Sequence, residues 1–216
     1  MRYSPEHKAR TREKIVKAAC RCFREQGIKG VSIADLMEAM GLTHGGFYSH
    51  FASKDALVAE AITKLLEHSQ QYLETWGKVP AGKQPLDVIV DNYLSKGHRD
   101  NPAAGCPLPI LGPEIARGSP EVRSALTTKV KDIVELLDRF AASGNEQSRE
   151  TIAVGVLAAI VGGMVLARAT NDEHFSDAIL SSCRAFLKNA LQNQTSGAGV
   201  IDAKPAAEPE PDTGSG

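Results

Sequence analysis

Aromatic side chains are scarce in this chain of 216 residues, which holds one Trp, four Tyr and six Phe. So few rings argue against a large aromatic cage for bulky cations and favour a modest or aliphatic ligand. Cysteine is sparse as well: Cys20, Cys22, Cys106 and Cys183 form no disulfide-rich pattern and suit a reducing cytoplasm. Cys20 and Cys22 are one residue apart on a helical stretch and so point about 200° apart, which rules against a shared metal. No Cys/His cluster has zinc spacing, and there is no glycine-rich phosphate loop or nucleophile elbow, so neither metal nor cofactor is expected. An enzyme would need a convergent acid, base or nucleophile set. Only the isolated His98 and Cys106 offer themselves, and no enzymatic activity is expected.

The N-terminus is polar and basic with no apolar run behind it, which predicts no signal peptide and a cytoplasmic protein. One long uncharged run exists, the seventeen residues Thr151–Ala167. It is at the short end for a membrane span, charges sit directly outside it, and no basic loop or aromatic belt frames it. Its Gly155, Ala158, Ala159, Gly162 and Gly163 predict instead a helix that packs closely against others, with no membrane involved.

The chain is richest in information between Ser32 and Lys54, SIADLMEAMGLTHGGFYSHFASK. Ser32 is placed to cap a short helix, with Asp35 three residues on, and Ile33, Leu36, Met37 and Met40 share one face. Gly41 stands where a helix ends in the left-handed region. Thr43 is placed to cap a second helix with Phe47 inward, and Ser53 a third with Lys54 at its first position. This is the pattern of a helix-turn-helix whose second helix enters a DNA major groove. The preceding stretch, Thr11–Gly27, sets Ile15, Ala18, Ala19, Cys22 and Phe23 on one apolar face. The first thirty residues carry nine Lys/Arg against three acids, in a chain of formal net charge −1. Positive charge gathered at that end is the footprint of phosphate contact.

Between about Thr11 and Ile62 the sequence resembles the TetR family of bacterial transcriptional regulators. The resemblance rests on Thr11–Arg12, the AAxxxFxxxG spacing from Ala18 to Gly27, SIADL, Gly41–Leu42, and FYSHFASKDAL from Phe47 to Leu57. The THGG of Thr43–Gly46 departs from it, having two glycines where such proteins often carry a lysine and a small residue. The resemblance implies an all-α fold: a three-helix helix-turn-helix DNA-binding domain over 1–54, then a helical ligand-binding and dimerisation domain over 55–194. Residues 195–216 are Pro/Gly/Ala/acid-rich and read as a disordered tail. It also implies a homodimer joined by a four-helix interface, in which the Thr151–Ala167 helix takes part, and a repressor that binds a palindromic double-stranded DNA operator. Thr43, His44, Gly45 and Tyr48 are the candidates near base edges, and Ser32, Tyr48, His50 and Lys54 those for phosphates. The competing reading is a TetR-fold sensor or interaction protein that has lost sequence-specific DNA binding. Gly45 and Gly46 keep it open, while Tyr48, His50, Lys54 and the basic first helix argue against it.

In the remainder the apolar spacing predicts one long helix ending near Gly77, then helices from Pro85 to about Lys96, Pro120 to about Ala142, Ser148 to Ala169 and Phe175 to Leu191. One or two short turns are expected between Leu108 and Ala116. The resemblance implies an effector pocket here, whose ligand releases the DNA. Tyr72, Trp76, Tyr93, His98, Cys106 and Met164 are the candidate lining residues. Cys106 lies seven and eight residues after Arg99 and His98, and a nearby cation would lower its thiol pKa. Some TetR-type repressors with a Gly-Cys after the fifth helix sense reactive electrophiles, so an electrophile or oxidant is a candidate effector alongside a small molecule.

Overall fold

A computed structural model describes residues 4–141 and 146–195. The described residues form ten α-helices and no strand. Three short-range signals set the N-terminal head. Helix α1 (Pro5–Gln26) starts at Ser4, whose hydroxyl accepts from the His7 amide, with Pro5 at the first position. Helices α2 (Ile33–Glu38) and α3 (His44–Phe47) meet at Gly41, whose φ of 68° is the left-handed conformation that favours glycine. Ile15, Val16, Ala19, Phe23, Leu36, Met37, Phe47 and Phe51 are buried together as the head's core.

Helix α4 (Lys54–Gly77) starts at Ser53, whose Oγ accepts from the Ala56 amide at 3.0 Å. It runs unbroken from head to body, packing on α1 and on α8 (Pro120–Phe140). Leu57, Val58, Ala61, Ile62, Leu65, Leu66 and Leu73 line its buried side. Each such side chain taken from water contributes about 1.5–3 kcal/mol before entropy is charged against it, so this one helix holds much of the fold.

The expected helix from Pro85 to Lys96 is two. Helix α5 (Pro85–Tyr93) stops at Leu94, and Ser95 caps α6 (Lys96–Asp100) by accepting from the His98 amide at 3.2 Å. Helix α7 (Leu108–Ile115) fills the stretch where short turns were expected. Helix α9 (Glu146–Ala169) packs against α8, α7 and α10 (Glu173–Thr195). By length and composition α9 is long and apolar enough to cross a membrane. Here Ala153, Val156, Leu157, Ile160, Gly163, Met164 and Ala167 are buried within the protein. The small-residue pattern divides in two. A Cβ on Gly163 would stand 3.0 Å from Cys183 Sγ, so that glycine lets α10 approach, whereas Gly155 and Gly162 face open space. Residue 142 and the tail from 196 lie outside the described residues.

Candidate nucleic-acid interface and body cavity

The head presents its candidate residues on exposed ground. Ser32, Thr43, His44, Gly45 and Tyr48 are all exposed, Tyr48 at 57%. Ser32 Oγ accepts from the Asp35 amide and Thr43 Oγ1 from the Gly46 amide, both at 3.1 Å. A capping hydroxyl only accepts in that bond, so each O–H stays available to donate to an oxygen outside the protein. After Phe47 the helix tightens: His50 N donates to the Phe47 carbonyl at 2.8 Å, an i to i+3 bond, and the chain turns out. Tyr48 is held edge-on between the rings of His44 (5.7 Å) and Phe47 (5.3 Å). Phe47 stacks on Phe51, and the Arg12 guanidinium lies 3.9 Å over the Phe51 ring. Arg12 also donates to the His50 carbonyl and to Glu60, which fixes the turn after α3 against α1 and α4.

Two of the phosphate candidates have inward duties. Lys54 Nζ donates to the carbonyls of Ile28 (2.8 Å) and Val31 (2.5 Å), which ties the loop between α1 and α2 to the start of α4. His50 is half-buried, its Nδ1 has no partner among the described residues, and burial followed by Lys8, Arg12 and His7 lowers its pKa. Around them Lys8, Arg10, Lys14, Lys17, Arg21 and Lys29 are exposed.

The body holds a cavity of about 240 Å³. Helix α4 contributes Ser69, Tyr72, Leu73 and Trp76; α5 contributes Asn92 and Tyr93. Ser95, Gly97, His98, Asn101, Ala104, Gly105, Cys106 and Leu108 also line it, together with Ile133 of α8 and Leu157 of α9. Tyr72, Trp76, Tyr93, His98 and Cys106 were all expected on this lining. Met164 is not there: it is fully buried core, two turns along α9 from Leu157, the residue α9 does offer to the cavity. Ser69 and Leu73 were not among the candidates, yet 69, 72, 73 and 76 follow the i, i+3, i+4, i+7 spacing of one helical face.

His98 organises the polar side. Its Nδ1 is 2.6 Å from the Tyr93 carbonyl oxygen, and its Nε2 is 3.0 Å from the Cys106 amide. A carbonyl can only accept and an amide can only donate, so the ring is neutral with its proton on Nδ1. Gly105 allows this approach, since a Cβ there would stand 2.4 Å from the ring. Arg168 donates to the carbonyls of His98 (2.6 Å) and Arg99 (3.2 Å) from behind. The expectation that His98 or Arg99 would activate the Cys106 thiol is not met. His98 is neutral and turned to the amide, while Arg99 pairs with Asp100 and Asp177, both at 2.7 Å. Burial pushes the Cys106 thiol pKa up, opposed in part by the Tyr93 hydroxyl, the Leu108 amide, the Ser69 hydroxyl and Arg168. Among the described residues no group of three or more His, Cys, Asp or Glu is placed to hold a metal ion.

Comparison with known proteins agrees with this geometry. The sequence pattern of bacterial regulatory proteins of the tetR family matches residues 15–61. The HTH-type transcriptional regulator LmrA of Bacillus subtilis is 25% identical over 80% of this chain and 94% of its own length. The uncharacterised HTH-type regulator YvdT of the same organism is 30% identical over 41% of this chain, which spans 47% of that relative, less than half its length. A TetR-family regulator from Cytophaga hutchinsonii shares the fold, with a TM-score of 0.71 and 23% identity over 88% of this chain and 98% of that one. Over residues 15–61 the N-terminal domain thus matches the TetR family of bacterial transcriptional regulators, and the described residues share the fold of TetR-family regulators.

Proposed function

We propose that the protein is a cytoplasmic, homodimeric DNA-binding repressor that reads a palindromic operator and releases it when a small molecule fills the body cavity. The observation that carries this is the exposed row Thr43, His44, Gly45 and Tyr48 on a capped α3, flanked by exposed basic residues of α1. Thr43, His44, Gly45 and Tyr48 face base edges in this reading. Ser32, Tyr48 and His50 face phosphates, and Lys54 positions the loop while its third N–H serves a phosphate. A nuclease footprint on the DNA upstream of the protein's own gene tests it. The expected result is a protected palindrome with half-sites about 34 Å apart or a multiple of that, and binding that falls steeply with salt. Failure there, followed by no motif in selection from random DNA, would put the non-DNA-binding sensor ahead.

A second reading, a reactive electrophile as effector, is favoured by the place of Cys106 in the cavity wall. The raised thiol pKa makes it slow at rest, so such a compound must accumulate in the cavity to react. Cys106→Ser should keep operator binding and lose release by an electrophile; equal release would end this reading. No enzymatic role is proposed, because both nitrogens of His98 are engaged and the thiol is held protonated.

A further inference from the structure

Among the described residues that line the cavity, the Tyr93 hydroxyl is a buried polar group left without a partner. The residue is 3% exposed, it lines the cavity, and its Oη has no hydrogen-bond partner among the described residues. The Cys106 thiol interacts with it, but sulfur is a weak acceptor and no bond of normal geometry forms. Its ring is fixed: His98 packs edge-on at 4.6 Å and donates from Nδ1–H to the Tyr93 carbonyl. A buried hydroxyl without a partner is destabilising, and in native proteins it calls for a reason.

The rest of the lining says what the missing partner is. Among the described residues no Asp, Glu, Lys or Arg lines the cavity, and His98 is neutral there. A charged ligand would leave water for walls that present no ionised side chain of their own, and the Arg168 guanidinium behind them is already engaged by the His98 and Arg99 carbonyls. Arg168 stands behind the His98–Arg99 carbonyls, where its field favours an acceptor oxygen near Tyr93 over a donor. The remaining walls, Leu73, Trp76, Leu108, Ile133 and Leu157, are apolar. At about 240 Å³ the space lies below the roughly 300–1,000 Å³ range of drug-sized sites.

We propose that Tyr93 is the ligand-anchoring donor of this cavity, and that the cavity takes small neutral molecules with one acceptor oxygen, typically a carbonyl, on an apolar body. The Tyr93 O–H donates to that oxygen, and the body lies against Leu73, Trp76 and Ile133. This rests on the cavity being the effector site.

Two probes of the same shape test it on the full-length protein. Acetophenone carries the acceptor, and α-methylstyrene replaces its C=O by C=CH2. By calorimetry, acetophenone should bind about tenfold tighter, the worth of one hydrogen bond formed away from water. Tyr93→Phe, checked for folding by circular dichroism and melting, should bind both equally. In the unaltered protein the carbonyl stretch of bound acetophenone should shift to lower frequency than in hexane, a readout that needs no variant. Benzoate should bind more weakly than acetophenone. Equal binding of the two probes, a preference that survives Tyr93→Phe, an unshifted carbonyl, tighter benzoate, or no binding of either probe each overturns the assignment. Operator release is read separately. Tyr93-dependent binding without release sinks the effector reading and leaves the anchor standing; release by both probes alike does the reverse.

Discussion

His98 is neutral because of two bonds that cannot both survive a second proton. Its Nδ1–H donates to the Tyr93 carbonyl and its Nε2 accepts from the Cys106 amide, so protonating Nε2 sets two donors against each other. Burial lowers its pKa first and the Arg168 guanidinium adds to this, while the Tyr93 carbonyl opposes. As pH falls, the unfolded chain therefore takes up this proton before the folded one. The stability is complete above the ordinary histidine range and is lost as pH drops through it, until the folded group titrates too. His50 has the same sign of shift, from burial and from Lys8, Arg12 and His7. Melting temperature should thus fall between about pH 7.5 and 5.5, and His98→Gln should flatten part of that slope, with His50→Gln removing more. An undiminished slope in His98→Gln would mean that the ring is not held neutral.

At the scale of elements, α7 does more than roof the cavity. It begins two residues after Cys106 and ends on Ile115, next to Glu114, whose carboxylate accepts from the amides of Ile28 (3.2 Å) and Lys29 (2.9 Å) in the head. Gly27 makes room for it: φ is 74°, and a Cβ would stand 2.3 Å from Glu114 Oε1. The same loop is held on its carbonyl side by Lys54. A segment of cavity wall is thereby joined to the loop that leads into α2, a short mechanical path from body to head. Glu114→Ala should speed hydrogen exchange at Ile28 and Lys29 while leaving the middle of α4 unchanged, and should cost about 1–2 kcal/mol for two carboxylate-assisted bonds. Unaltered exchange at both amides would show that the latch does not form in solution. Nothing in the local sequence announces it, since Glu114 and the 27–29 loop are more than eighty positions apart. Local signals were legible where chemistry is local: the caps at Ser32, Thr43 and Ser53, the turn at Gly41, and the stripe of α4 all stand as the spacing requires. The first turns of α1 escaped the periodicity because residues 5–10 are exposed and carry no apolar stripe, although Ser4-Pro5-Glu6 is a helix start. The break after Tyr93 escaped it because no Pro or Gly marks Leu94, and the His98 bond to Tyr93 secures the bend. Met164 and Leu157 share one stripe of α9, and which turn meets a void depends on neighbours from other helices.

Taken whole, the molecule has a body whose two last helices each carry large apolar side chains on their exposed side. The inner side of α9 is core. Its outer stripe runs through Val154, Gly155, Ala158, Gly162 and Leu166, with Val154 49% and Leu166 59% exposed. On α10, Phe175 at 59% and Phe186 at 71% stand out among exposed small and polar residues. Large rings left in water on α10, and glycines on α9 that open onto empty space, are a poor surface for a monomer and a good one for close helix packing. A twofold axis through this face would pair α9 and α10 with their copies as a four-helix bundle and set two α3 helices on one side of the assembly. In the proposed dimer, specificity would follow from number: each head would offer one short recognition helix, and two heads on a palindrome would add their base contacts. Replacing Phe186 by Glu should cost about 2 kcal/mol or more of dimer stability, as loss of a central aromatic anchor does. Leu166→Glu should act in the same direction. For the proposed dimer, sedimentation equilibrium should show the unaltered protein as a dimer and the variants as monomers at the same concentration, with circular dichroism unchanged because both side chains lie outside the core. Operator binding should weaken in parallel, since each free protomer reads one half-site. Variants that remain dimers would move the interface elsewhere, and monomers that bind the operator as tightly as the parent would break the link between pairing and recognition.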